Sequence, residues 1–169
     1  MKQPPRNDPA SVLFVCTGNI CRSPLAEFLF KDFVAREGTA GSFRIGSAGT
    51  YALNGNTATR EAQSAARQWG LDISSHRARE VSHRLMDESD YVLGMTRQHC
   101  LELLREFPGH ENKIYLALLF PREFELERLE GIDVPDPIGL PVDYYAQVLD
   151  MLSPALPRIM NGILDKEDQ

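Results

Sequence analysis

Cysteine is scarce, with three thiols in 169 residues. So few cannot build a disulfide scaffold, and an odd number leaves at least one thiol unpaired. Long apolar runs are missing: nothing approaches the roughly 18 apolar residues that a membrane-spanning helix needs, and the opening MKQPPRNDPA has no apolar core of a signal peptide. Basic charge is also in deficit. With 18 Lys and Arg against 24 Asp and Glu, the net charge of −6 speaks against a nucleic-acid surface, which requires clustered cations. The four histidines, His76, His83, His99 and His110, show no metal-ligand spacing. The expectation is therefore a cytoplasmic protein that takes no metal and no cofactor and binds neither nucleic acid nor membrane. Any anionic substrate has to be captured by local structure.

The chain itself is 43% hydrophobic and 25% charged, and at this length it fits one domain with a real core. Residues 1–10, with Pro4, Pro5 and Pro9, read as a flexible extension with nothing to bury, and residues 11–169 as the folded domain. Val12-Leu13-Phe14-Val15 has the continuous apolar pattern of a strand buried on both faces. A helix follows, with Ser23 as the expected N-cap, Pro24 in first helical position, Leu25, Phe28, Leu29 and Phe33 on one face, and Gly38 closing it. Further along come a strand at 43–45, a helix over 57–69, a strand at 91–95, a helix from Thr96 to Phe107, a strand at 113–116 and a helical region from Val142. Pro154 and Pro157 are expected to kink or break that last region. The alternation predicts an α/β fold: a single-domain, four-stranded parallel sheet with helices on both faces and a phosphate-binding loop after the first strand. Ligands of such sheets sit at the carboxyl ends of the strands.

That loop is Cys16-Thr17-Gly18-Asn19-Ile20-Cys21-Arg22-Ser23. Leaving a buried strand and entering a helix N-terminus, its successive N–H groups can curl around an anion, with Gly18 easing the turn and the helix dipole adding positive charge. A thiol in that field is favoured as thiolate, which makes Cys16 a candidate nucleophile. Arg22 carries a planar fork able to hold two phosphate oxygens at once. Taken alone, Cys16 reads equally as a buried core thiol and Arg22 as a surface side chain. The strand before, the glycine within and the Ser-Pro after weigh toward the chemical reading.

The stretch from Val12 to Glu27, VLFVCTGNICRSPLAE, resembles the signature of the low-molecular-weight protein tyrosine phosphatases. So do Ser47-Ala48-Gly49-Thr50, Gly70 with Ser74, His76, Ala78 and Arg79, the segment Asp90 to Met95, and Asp136-Pro137. The resemblance runs from Ser11 onward. It implies a phosphatase domain acting on phosphorylated proteins, as monomer or weak dimer, through a phosphocysteine on Cys16. By the same resemblance Arg22 binds phosphate together with residues 17–23, and Asp136 is the general acid. Read without it, Asp136 between Pro135 and Pro137 is a turn aspartate in a rigid loop, with Asp133 and Asp143 as rivals. The resemblance also makes Asn19, Ser47 and His76 a network that holds the loop open, with Ser23 donating to the Cys16 sulfur. On their own, Ser23 is equally a helix cap and His76 a structural histidine. Cys21, on the same loop, would trap oxidised Cys16 as a reversible disulfide. Cys100 receives no role.

Three related activities share the scaffold. Thioredoxin-coupled arsenate reduction needs a further cysteine pair, and only Cys100 remains beyond the loop. Protein arginine phosphatases resemble this chain at Met95-Thr96-Arg97-Gln98-His99 and from Asp136 through Asp143 and Tyr145, but carry threonine where this loop has Ile20. An apolar wall at Ile20 suits a phenyl ring, so phosphotyrosine is the expected substrate and phosphoarginine the alternative. Tyr51, Leu53 and Ile138 complete the expected substrate wall. An inactive phosphate-binding regulatory module is the alternative of another class.

Overall fold

The computed structural model describes residues 8–122 and 132–168. Most of the expected N-terminal extension, residues 1–7, lies outside the described residues. Four parallel strands, β1 (Ala10–Cys16), β2 (Phe43–Gly49), β3 (Tyr91–Gly94) and β4 (Ile114–Leu116), form one sheet in the order β2-β1-β3-β4. β1 is central, and its alternation divides the core. Phe14 and Cys16 face helices α1 (Arg22–Arg36), α5 (Val142–Leu152) and α6 (Leu156–Glu167), whereas Leu13 and Val15 join a second cluster with Met86 and Leu103 of α3 (His83–Glu88) and α4 (Arg97–Glu106). A strand covered on both sides must be apolar throughout, which is why Val12 to Val15 shows no polar alternation. Among the described residues no helix is long and apolar enough to cross a membrane.

The elements depart from expectation where local propensity and tertiary pairing disagree. β1 begins at Ala10, a buried residue, so the folded chain starts before Ser11. β2 runs to Gly49 although Gly46-Ser47-Ala48-Gly49 contains poor strand formers. Parallel pairing with β1, from Ala10 against Phe43 to Cys16 against Gly49, imposes the extended form. The helix expected over 57–69 is α2 (Arg60–Gln68), capped by Thr59, whose hydroxyl accepts from Ala62 N–H. α3 escapes the periodicity because six residues bury only Met86. The proline-bearing end divides as expected: α5 stops at Leu152, a 3-10 turn covers Ser153–Ala155, and α6 begins at Leu156, with each proline in a first-turn position where no helical N–H is lost.

Ser23 is not the N-cap of α1. The helix starts at Arg22 after Cys21, with no side-chain cap bond, because the Ser23 hydroxyl is turned inward toward Cys16. Gly38, at φ 72°, lies just past the helix end in the left-handed region, and the backbone bonds Gly38 N–H to Ala35 O and Thr39 N–H to Val34 O complete the stop. The carboxyl ends of β1, β2 and β3 then open side by side. Thr50 N–H donates to Cys16 O, and Met95 N–H to Val15 O, so the connections after all three strands are registered to the end of β1.

Candidate active site

Cys16 closes β1, buried, with its Sγ 2.9 Å from Ser23 Oγ. From there the loop arches over to α1 through Asn19, whose φ of 54° is left-handed. Asparagine tolerates that conformation better than branched residues, and here the position is held by its side-chain amide and its carbonyl. Both Nδ2 hydrogens are committed, to Ser23 Oγ at 2.8 Å and to Ser47 Oγ at 2.9 Å. Its Oδ1 accepts from Arg79 N–H at 3.0 Å, and its carbonyl accepts from His76 Nε2 at 2.7 Å. Ser47 in turn donates to Glu27 Oε2 at 2.5 Å, and Lys31 meets the other Glu27 oxygen at 2.6 Å. A buried carboxylate is costly unless bonded in this way. Burial lowers His76 below its ordinary value, so it serves as a neutral N–H donor to the loop carbonyl.

The chain of donors fixes a direction. Asn19 has given Ser23 one hydrogen, so the Ser23 O–H must point elsewhere, to Cys16 Sγ at 2.9 Å or to Ala48 O at 3.4 Å. The sulfur is the nearer acceptor. Two further ties hold the loop from outside: Thr59 N–H donates to Ile20 O, and Tyr51 N–H to Thr17 O. Thr17 O also lies so close to Gly49 Cα that any Cβ at Gly49 would collide with it, a close approach that only glycine permits.

Thr17 is further held by α4. Thr96 N–H donates into His99 Nδ1 at 3.1 Å, which places the ring hydrogen on Nε2, donating to Thr17 Oγ1 at 2.9 Å. Burial first, and Arg22 second, push His99 down to about 4, which keeps this tautomer neutral. Arg22 is itself buried at 5% exposure; Nη1 donates to Val134 O at 3.1 Å and Nη2 lies 3.5 Å from Asp136 Oδ2. Its Nε is buried with no protein partner among the described residues. A cationic donor in that state is suited to an incoming anionic oxygen.

These groups face a cavity of about 210 Å³ whose walls include Cys16, Ile20, Cys21, Arg22, Asp136 and Ile138, together with Thr17 and Gly18. Larger hollows of about 400 and 350 Å³ flank edge strand β2 around Arg79, but neither contains Cys16. Convergence of a thiol, a guanidinium and a carboxyl makes the smaller one the candidate chemical site. Asp136 is half exposed there, and its Oδ1 accepts from Ile138 N–H. Of the rivals, Asp133 is bonded to Arg97 and Asp143 lies in the first turn of α5. Tyr51 and Leu53, expected in the substrate wall, stand 58% and 72% exposed and do not line this cavity; Ile20 and Ile138 do. Asn19, Ser23, Ser47 and His76 lie together behind it. Cys21 lines it, with Sγ 3.8 Å from both Thr59 Oγ1 and Tyr145 OH, and burial pushes its thiol up to about 11. Glu27, Gly49 and the strut from His99 were not anticipated as site residues. Glu27 had a signal, being one helical turn beyond Ser23 and so on the same face, whereas the Met95 to His99 stretch stood out in the sequence without any sign that its histidine reaches Thr17.

The sequence model of the family described as low molecular weight phosphotyrosine protein phosphatase matches residues 11–169. The chain is 37% identical over 128 residues to the low molecular weight protein-tyrosine-phosphatase YfkJ of Bacillus subtilis, covering 75% of this chain and 80% of that one. It is 34% identical over 148 residues to a protein-arginine-phosphatase of the same organism, covering 88% and 93%. Among solved structures, that of YfkJ superposes with a TM-score of 0.81 at 32% identity over 97% of this chain and 99% of the other. A mutant of YwlE from Bacillus subtilis gives 0.80 at 31% identity over 91% and 98%.

Proposed function

From the premise that the chain belongs to the low molecular weight phosphotyrosine protein phosphatase family, we propose that it hydrolyses phosphotyrosine in protein substrates through a phosphocysteine intermediate. The observation that carries this reading is the meeting of Cys16 Sγ, the unpartnered Arg22 Nε and the Asp136 carboxyl around one cavity with apolar walls at Ile20 and Ile138.

The phosphate sits in the loop of residues 17–23, with backbone N–H groups and the Arg22 fork on its oxygens. The Cys16 thiolate attacks phosphorus from one side as the ester P–O bond breaks on the other, and the Asp136 carboxylic acid protonates the departing phenolate oxygen. Arg22 holds the equatorial oxygens throughout, where charge is spread in the transition state. In the second step Asp136, now a carboxylate, takes a proton from water as the water oxygen bonds to phosphorus. The P–S bond breaks, and the sulfur leaves as a thiolate that accepts the Ser23 O–H. Because Asn19 donates to the Ser23 oxygen and the alternative acceptor, Ala48 O, lies farther off at 3.4 Å, the donor is already oriented before the bond breaks.

Phosphoarginine is the second reading. It is supported by the likeness to arginine phosphatases and by the Met95 to His99 stretch, whose His99 reaches Thr17 of the phosphate loop. Turnover of phosphotyrosine and phosphoarginine peptides side by side, with Cys16→Ser as the blank, separates them. The expected result is faster turnover of phosphotyrosine and none by the variant. Preference for phosphoarginine replaces the substrate assignment, and equal activity of Cys16→Ser and wild type removes the mechanism.

A further inference from the structure

Asp136 is tied to the core through the three residues before it. Val134 is fully buried; its N–H donates to Met95 O at 2.9 Å and its carbonyl accepts from Arg22. Asp133, just ahead of it, is half-buried, but both carboxylate oxygens have a partner: Oδ1 accepts from Arg97 N–H at 2.8 Å and Oδ2 lies 3.5 Å from Arg97 Nε. Arg97 is the first residue of α4. There the helix presents N–H groups without intrahelical partners and the positive end of its dipole, both of which favour a carboxylate. From this anchor the chain is stiff. Pro135 and Pro137 fix φ on either side of Asp136, and each also restricts the residue before it, Val134 and Asp136 in turn. An orientation imposed at Asp133 is therefore transmitted to Asp136 instead of being lost in free rotation.

We propose that Asp133 is a positioning residue for the reaction: by clamping the acid loop to the first turn of α4, it sets the Asp136 carboxyl at the leaving-group oxygen above Cys16. The proposal rests on the reading of Asp136 as the general acid. The same helix end also holds the nucleophile's side of the site, since His99, two residues beyond Arg97, donates to Thr17. One turn of α4 thus sets the spacing between the phosphate loop and the acid, which are otherwise joined through Arg22. A displaced acid costs most when the leaving group most needs its proton, and near-attack geometry is sensitive at the scale of about 1 Å.

The test is the dependence of kcat/KM on leaving group, measured with aryl phosphates ranging from nitrophenol to unsubstituted phenol. Asp136→Ala is expected to lose roughly a hundredfold on the poorest leaving group and far less on nitrophenyl phosphate. Asp133→Ala is expected to move the slope in the same direction, with about a tenfold loss on the poorest leaving group. Asp133→Asn keeps an oxygen for Arg97 N–H and is expected to recover most of that loss. The slope compares substrates on one preparation, so it is unchanged by a partly unfolded variant. A wild-type slope in Asp133→Ala beside an altered one in Asp136→Ala overturns the positioning role alone. An unaltered slope in Asp136→Ala overturns the acid reading and the positioning role with it. An Asp133→Asn variant as impaired as Asp133→Ala overturns the clamp through the Arg97 N–H.

Discussion

Two thiols five residues apart, Cys16 and Cys21, line one cavity yet stand in different surroundings. Cys16 lies beside the Ser23 hydroxyl where the proposed phosphate loop begins, whereas burial pushes Cys21 up to about 11, which keeps it a thiol at neutral pH. A protonated, buried thiol does not compete for substrate, but its small thiolate fraction can attack a strong electrophile placed next to it. Hydrogen peroxide supplies that electrophile by converting Cys16 to a sulfenic acid with release of water. Attack by Cys21 sulfur then forms the disulfide and releases a second water. Brief peroxide treatment is therefore expected to inactivate the enzyme, to remove about 2 Da from its mass and to be reversed by dithiol. Cys21→Ser should instead gain oxygen and fail to recover. Peptide mapping of oxidised wild type that finds no Cys16–Cys21 link rejects the proposal.

At the scale of the element, the first turn of α4 ties a helix terminus to the chemistry. Thr96 caps it through His99 N–H, and His99 returns the bond by accepting from Thr96 N–H, so the histidine takes the place a glutamate or glutamine commonly fills in a capping box. This pairing requires neutral imidazole: a proton on Nδ1 would face the Thr96 N–H. The folded value of about 4 lies below the unfolded value near 6.5, so in that window the unfolded chain binds the extra proton. Stability then falls as pH drops from about 6.5 toward 4, by roughly 3 kcal/mol in all at 1.36 kcal/mol per pH unit. His76, lowered for the same reason, adds a slope of the same sign. Urea midpoints between pH 7.5 and 4.5 should show a shallower fall for His99→Gln than for wild type. Parallel curves would mean that His99 is not neutral in the fold.

For the whole molecule, the proposed phosphate site is a junction of distant parts: residues 16–23 from β1 and α1, Ser47 and Gly49 from β2, His76 and Arg79 from the loop after α2, His99 from α4, and Val134 with Asp136 before α5. An anion bound there reinforces all of them and stabilises the native state as RT ln(1 + [L]/Kd). Inorganic phosphate at about a hundredfold above its Kd is expected to raise the Tm by roughly 5–10 °C in thermal unfolding. Arg22→Lys should lose most of that shift, because an ammonium offers no fork and cannot supply the buried Nε donor. An equal shift in Arg22→Lys would place the bound anion elsewhere.

Much of this protein is legible in its sequence. The apolar Val12 to Val15 followed by Cys16 to Pro24 specifies a buried strand, an anion-binding turn and a helix, because hydrophobic continuity, glycine placement and proline placement are local constraints and act within a few residues. The break at Pro154 and Pro157 follows from the same local chemistry. Tertiary structure decided what depends on separations of many residues. Ser23 reads as a helix cap in the sequence, but in the fold Asn19 donates to its hydroxyl and the hydroxyl turns to the Cys16 sulfur. Asp133 and Asp136 are the same residue type three positions apart, and only packing against α4 gives one to Arg97 and the other to the cavity. Tyr51 and Leu53 are expected in the wall from their place in the chain, and the turn after β2 leaves them outside the cavity. Gly49 had to be glycine because Thr17, more than thirty residues earlier, crosses it. Propensity is a property of neighbours along the chain, whereas hydrogen-bond direction, burial and steric exclusion belong to neighbours in space, and only the folded chain brings those together.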